Sequence, residues 1–120
     1  MLWFMKKRRW PSLDQLEREF ARCRAELARV GYVSQGSVQD RTGRPKGGAG
    51  YQWTRKVAGK TVTVALTPEQ FQGMKAAVAN QRKVAGILRQ MEALSRRILF
   101  QTHPHTARRK RLTNKVLGLN

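Results

Sequence analysis

Several residues in this chain are of types that could carry chemistry, and their spacing argues against each in turn. Gly59-Lys60-Thr61 has the ending of a phosphate-binding loop, in which backbone N–H groups and a lysine cradle phosphate oxygens. The position five before Gly59 is Thr54, not glycine, and the segment reads as a hairpin turn where a P-loop needs a strand running into a helix. No G-x-G-x-x-G occurs. His103 and His105 flank Pro104 and are metal-ligand types, but no cysteine or acid cluster lies near them to complete a site. They are expected as exposed histidines. Cys23 is the one cysteine; it falls on an apolar helical seam, where a thiol acts as a small hydrophobe. Asp14, Glu17, Glu19 and Glu26 interleave with arginines, and Glu69 opens a helix, where the dipole favours it. No carboxylate pair is left for general acid–base or metal chemistry. The expectation is no enzyme, no cofactor and no metal.

The abundant chemistry is cationic. Among 120 residues, 25 Lys+Arg face 7 Asp+Glu, a formal net charge of +18. Charged surfaces serve solubility, but a small domain needs a net charge of only about 2–8 for that. Arginine, which can grip phosphate with two donors at once, supplies 16 of the 25 cations. A polyanion is therefore the expected partner, and a nucleic acid the expected class. The candidate contacts are Lys6, Lys7, Arg8 and Arg9; Arg41, Arg44 and Lys46 around a glycine-rich loop; and Arg55, Lys56 and Lys60 in the hairpin. Further along they are Arg82, Lys83, Arg89, Arg96 and Arg97, then Arg108, Arg109, Lys110, Arg111 and Lys115. Residues 12–30 differ, since their four arginines and four acids cancel.

The elements that must position these groups follow from periodicity. Ser12 with Gln15 three residues later forms a capping-box pattern. Leu13, Leu16, Phe20, Cys23, Leu27 and Val30 then recur at spacings of three and four, a helical seam stopped by Gly31. Thr67, Pro68 and Gln70 mark a second helix start. Phe71, Met74 and Val78 form its first stripe. Val84, Ile87, Met91, Leu94 and Ile98 continue it after a phase shift at 80–83, which implies different neighbours for the two halves. Between the helices, Ala58-Gly59 joins strands 51–57 and 60–66. That turn pairs Trp53 with Val64, Tyr51 with Leu66 and Arg55 with Val62, and sorts Gln52, Thr54, Lys56, Thr61 and Thr63 onto the other face. A third strand is expected over about 33–41. Tyr51 and Trp53 are of a type that stacks on bases, but a face shared with Val62, Val64 and Leu66 favours core packing.

The fold class is therefore α+β: an N-terminal helix, a small antiparallel sheet (a hairpin plus the third strand), a long C-terminal helix and a basic tail. Residues 1–11 read as a basic, aromatic arm, 12–100 as a single helix–sheet–helix domain, and 101–120 as the tail. A sheet this small needs packing against the helices, which are expected to pair. Residues 1–5 are apolar and residues 6–9 basic, the reverse of the order in a signal peptide, and no run approaches the ~18 residues of a membrane span. With a single cysteine, this points to the cytoplasm.

Gly50-Tyr51-Gln52-Trp53-Thr54-Arg55-Lys56, Gly59-Lys60-Thr61-Val62 and Leu66-Thr67-Pro68-Glu69-Gln70 resemble an uncharacterised family of small bacterial proteins encoded near transposases. Gln35-Gly36-Ser37-Val38 and the stretch from Ala79-Asn80-Gln81-Arg82-Lys83 to Met91-Glu92-Ala93-Leu94-Ser95 fit the same pattern. The resemblance covers roughly residues 12–100. It implies a helix–sheet–helix fold and a mobile-element context, and no established activity. Relatives carry cysteines in the loop before the aromatic strand. This chain has none between Arg41 and Gly50, so no metal site carries over.

The leading expectation is a non-enzymatic nucleic-acid-binding accessory protein of a mobile element, holding the phosphate backbone of structured RNA or DNA through arms, loop and hairpin. The alternative is a helical interaction module, a homodimer or a partner of a transposase-type protein through its helix seams. A third class, a membrane-surface binder through residues 2–10, ranks below both. No small-molecule substrate is expected.

Overall fold

The computed structural model describes residues 11–43, 50–103 and 112–118. Its elements are α1 (Leu13–Ala28), β1 (Ser37–Asp40), β2 (Tyr51–Val57), β3 (Lys60–Leu66), α2 (Pro68–Thr102) and α3 (Asn114–Leu117). The fold is α+β, with an N-terminal helix, a three-stranded antiparallel sheet and a long helix. The chain forms two compact units, Arg29–Gly86 and the pair of segments Met1–Ala28 with Ile87–Asn120. Each has its own small core.

In the unit Arg29–Gly86 the strand order is β1-β2-β3. The two-residue turn works because Ala58 (φ 50°) and Gly59 (φ 82°) both take left-handed backbone, which matches the twist of the flanking strands. Trp53 faces Val64, Tyr51 faces Leu66 and Arg55 faces Val62, the register expected from the alternation. On the other side Val38 pairs with Trp53 and Asp40 with Tyr51.

The third strand is shorter than the expected 33–41, and Gly36 is the reason. Its φ of +108° turns the chain out of the sheet. A Cβ there would lie 2.4 Å from the Thr54 carbonyl oxygen and 2.6 Å from Trp53 Nε1. The indole N–H of Trp53 donates to Gln35 O at 2.9 Å and fixes the bend. Upstream, Ser34 N–H donates to Ala77 O at 3.1 Å, and the Asn80 amide donates to Tyr32 O at 3.0 Å. Tyr32 and Ser34 are thus tied to α2, and Gln35 to the Trp53 side chain of β2, in place of a strand ladder.

α2 begins with both halves of a capping box: Gln70 N–H donates to Thr67 Oγ1 at 3.0 Å, and Thr67 N–H donates to Gln70 Oε1 at 2.9 Å. Its first half buries Phe71, Ala77 and Val78. The Phe71 ring stacks on Tyr51, with centroids 4.4 Å apart and planes inclined by 28°. The expected face of aromatic and β-branched residues is covered only at this end. Leu66 is half-buried, but Val62 and Val64 remain 39% and 42% exposed, because the hairpin extends past the residues that could cover it.

In the second unit α1 buries Leu16 (2% exposed) and Cys23 (3%), and the later half of α2 buries Ile87 and Leu94. The Ser12 hydroxyl caps α1, accepting from Gln15 N–H at 3.1 Å. Glu17, Phe20, Ala21 and Arg24 of α1 line one cleft with Ser95, Ile98 and Leu99 of α2, so the two helices pair as expected. Gln101 Nε2 donates to Pro11 O at 3.3 Å, which brings the start of α1 to the end of α2.

The expected tail holds more structure than its composition suggests. Helix α2 runs to Thr102, and Asn114–Leu117 form a single turn. Thr113 caps that turn, accepting from Val116 N–H, and Gly118 (φ 73°) closes it. Leu117 is 6% exposed.

Two stability outcomes follow. Thr67→Ala removes one half of the α2 cap and should cost about 1 kcal/mol in denaturant unfolding. Gly36→Ala should cost more, roughly 1–3 kcal/mol, since it adds strain at positive φ to a clash with β2. Equal midpoints for Gly36→Ala and the parent chain would mean that the bend does not constrain the sheet.

Candidate nucleic-acid interface

The bend at Gly36 also opens a hollow beside the sheet. Past Ser37, β1 no longer follows β2, so among the described residues no strand faces the outer backbone groups of β2 around Lys56. Arg41 N–H donates to Gly50 O at 2.8 Å. Alternation along the ladder therefore turns Gly50, Gln52, Thr54 and Lys56 toward the β1 side. The space left is a hollow of about 390 Å³ lined by Gln35, Gly36, Ser37, Thr54, Arg55, Lys56 and Thr61. The Ser37 and Thr54 hydroxyls lie 3.3 Å apart across the strands. Arg55 and Lys56 are exposed, and neither forms an ion pair among the described residues. The Arg55 guanidinium lies 5.6 Å from the centre of the Trp53 ring, which holds it against the sheet. Hydroxyl donors, a guanidinium and an ammonium around a polar hollow suit an anion with several oxygens, such as a phosphodiester.

Lys60 is exposed at the hairpin tip next to this hollow. In the same unit, α2 exposes Lys75, Arg82 and Lys83, with Ala76 and Ala79 exposed between them. Lys75 and Arg82 are two turns apart, about 10.5 Å along the axis, and so lie on one side of the helix. No acid occurs in α2 between Glu69 and Glu92. The described ion pairs, Arg18–Asp14 and Arg96–Glu92 (3.6 Å), both belong to the other unit.

The remaining expected contacts divide clearly. Arg89 and Lys115 are exposed, and Arg41 is half-buried at the base of its loop. Arg96 and Arg97 are engaged within the chain. Arg96 Nη1 donates to Leu117 O at 2.9 Å, and Arg97 Nη2 donates to Asn114 Oδ1 at 3.3 Å, so together they hold the C-terminal turn. Partial burial draws the Arg97 guanidinium down from its ordinary range, and the Glu19 carboxylate opposes that shift. Lys6, Lys7, Arg8, Arg9, Arg44, Lys46, Arg108, Arg109, Lys110 and Arg111 lie outside the described residues. Sequence reasoning missed Gln35, Ser37, Thr54 and Thr61 as site residues. The one signal for them was the polar face of the hairpin; that Ser37 and Gln35 would join it depends on a bend set by tertiary contacts.

The aromatic residues follow the packing alternative. Tyr51 is half-buried on Phe71, and the Trp53 N–H is committed to Gln35 O. Gly59-Lys60-Thr61 lies in the hairpin turn and first residues of β3 and does not open a helix. Among the described residues no group of three His, Cys, Asp or Glu could hold a metal ion, and no helix is long and apolar enough to cross a membrane.

Burial first, and then the Glu26 carboxylate, push the Cys23 thiol above its ordinary pKa. A raised thiol pKa leaves the protonated, unreactive form dominant at neutral pH. Cys23 should therefore resist a thiol reagent at pH 7–8 in the folded chain and react at once in denaturant. Fast labelling of folded protein would contradict the buried seam. Compared with family models, curated proteins and solved structures, the chain matches none of them.

Proposed function

We propose that this chain is a non-enzymatic nucleic-acid-binding protein that grips the phosphate backbone, with the sheet hollow and its neighbouring cations as part of the contact. The mobile-element setting implied by the resemblance makes an accessory role at an element's DNA or RNA the reading we favour. The observation that carries it is the unbalanced cation set of Arg29–Gly86. Arg55, Lys56, Lys60, Lys75, Arg82 and Lys83 are exposed around two acids, Asp40 and Glu69. Exposed cations without counter-charges are costly to one another, and a polyanion relieves that repulsion while releasing its own condensed counterions. The hydroxyls of Ser37, Thr54 and Thr61 add neutral donors that suit phosphate oxygens. Binding is therefore backbone-directed and steeply salt-dependent.

The test is a salt series of binding to a fluorescent duplex, DNA and RNA in parallel. Each phosphate contact contributes roughly 0.9 to the slope of log K against log salt on duplex DNA. Replacing Arg55 and Lys56 by serine should lower affinity and flatten the slope by about 2. Arg18→Ser, which removes a cation already paired with Asp14, should leave the slope unchanged. If the double variant keeps the parental slope, the sheet is not the contact surface.

A further inference from the structure

The outer edge of β3 is open. β3 pairs with β2 on one side, and among the described residues no strand lies on the other. Six of its seven residues are exposed. Such an edge offers a row of unpaired N–H and C=O groups, and proteins ordinarily blunt it with charge, proline or a bulge. Here residues 61–66 contain no charge and no proline. The edge of β1 is protected by comparison, being four residues long and ended by the Gly36 bend.

We propose that this edge pairs with the same edge of a second copy of the chain, joining two three-stranded sheets into one of six strands. The backbone sets which residues face outward. Because Gly50 O faces β1, Tyr51, Trp53 and Arg55 turn their backbone groups to β3, and their partners Leu66, Val64 and Val62 answer them. Thr61, Thr63 and Ala65 therefore direct N–H and C=O away from the sheet.

An antiparallel pairing centred on Thr63 overlaps the whole strand and brings these outward groups together. Thr63 meets Thr63 of the second copy, and Thr61 meets Ala65, giving about six hydrogen bonds. Val62 then lies opposite Val64 as a non-hydrogen-bonded pair, the closer spacing of about 4.5 Å at which side chains touch best. The four valines form one patch on one face, covering side chains left 39% and 42% exposed in the single chain. The threonines line the polar face. Lys60 falls opposite Leu66, so the two ammonium groups lie at opposite ends of the shared edge, about 20 Å apart. A one-residue slip would set valine against threonine and lose all of this.

The helix seams offer less, since Leu16, Cys23, Ile87 and Leu94 are already buried within the chain. Opposing the pairing is the +18 charge of each copy. Salt screens that repulsion, with a Debye length of roughly 8 Å at physiological ionic strength. The dimer therefore tightens as salt rises, opposite in sign to backbone binding of nucleic acid, and it stands independently of the function proposed above.

The experiment is sedimentation of the nuclease-treated full chain over a range of concentration and salt. The parent chain should show a monomer–dimer equilibrium that shifts toward dimer with salt. Thr63→Pro removes an outward N–H while leaving the β2 ladder intact, and should weaken the dimer roughly tenfold or more with an unchanged circular dichroism spectrum. Thr63→Lys, which apposes two ammonium groups at the centre, should act the same way. Gln72→Lys adds equal charge on the exposed face of α2 and should not. A parent chain that stays monomeric at every salt concentration overturns the proposal, as does a Thr63→Lys chain that dimerises like the parent.

Discussion

The unit Arg29–Gly86 depends on the first half of α2 giving a small sheet something to lean on. A small sheet has an apolar face that needs cover, here from a helix surface. Here the surface comes from Phe71, Ala77 and Val78, and the decisive contact is the Tyr51 ring stacked on Phe71 at 4.4 Å. The Thr67–Gln70 capping box starts the helix directly after β3, so Phe71 arrives one turn later where Tyr51 can meet it. The Ser34 and Asn80 hydrogen bonds then draw Tyr32 and Ser34 onto the same helix. With those residues held there, Gly36 has to bend, β1 has to stop at Ser37, and β2 continues paired with β3 only.

That stop connects the fold to its chemistry. A full-length β1 would have filled the space beside Lys56 with backbone; a truncated one leaves a polar hollow rimmed by cations. The hollow has few counter-charges of its own. The acids of this chain are concentrated in α1, where Asp14 pairs with Arg18, and at Glu92, which pairs with Arg96. Charge is thus segregated along the sequence: acids and arginines balance along α1, while the middle of the chain, α2 and both ends carry the excess. Repulsion among cations limits how tightly such a surface can pack, in keeping with the small cores of both units.

The same excess gives a reason for the bare edge of β3. Soluble proteins usually place a lysine or proline within an exposed edge to stop uncontrolled pairing. A chain of net charge +18 has long-range repulsion that resists random association at low ionic strength. An edge of alternating threonine and valine then pairs only where register and symmetry repay the approach. The proposed pairing and the proposed polyanion binding would respond to salt in opposite directions, so ionic conditions and any bound polyanion would set the balance between them.

Periodicity carried most of the architecture. Alternation through 51–66 determined the hairpin and its register, because a slip of one residue would have scrambled both faces. The cap at Thr67 and the seam from Leu16 to Cys23 were legible because caps and helical spacing are local. The phase shift at 80–83 was legible as a change of neighbours along α2, whose residues fall in two units. Other features depend on contacts distant in sequence. How far β1 extends was decided by Trp53 reaching Gln35 and by Asn80 reaching Tyr32, 18 and 48 residues away. That Arg96 and Arg97 hold the C-terminal turn was hidden too, because a cluster of arginines reads alike whether it faces phosphate or a carbonyl. The sequence by itself determined the amount of positive charge and the faces of each element, since both follow from residue type and local period. Only the tertiary structure decided which cations are engaged within the chain and where a hollow opens, because both depend on which groups distant in sequence the fold brings into hydrogen-bond contact.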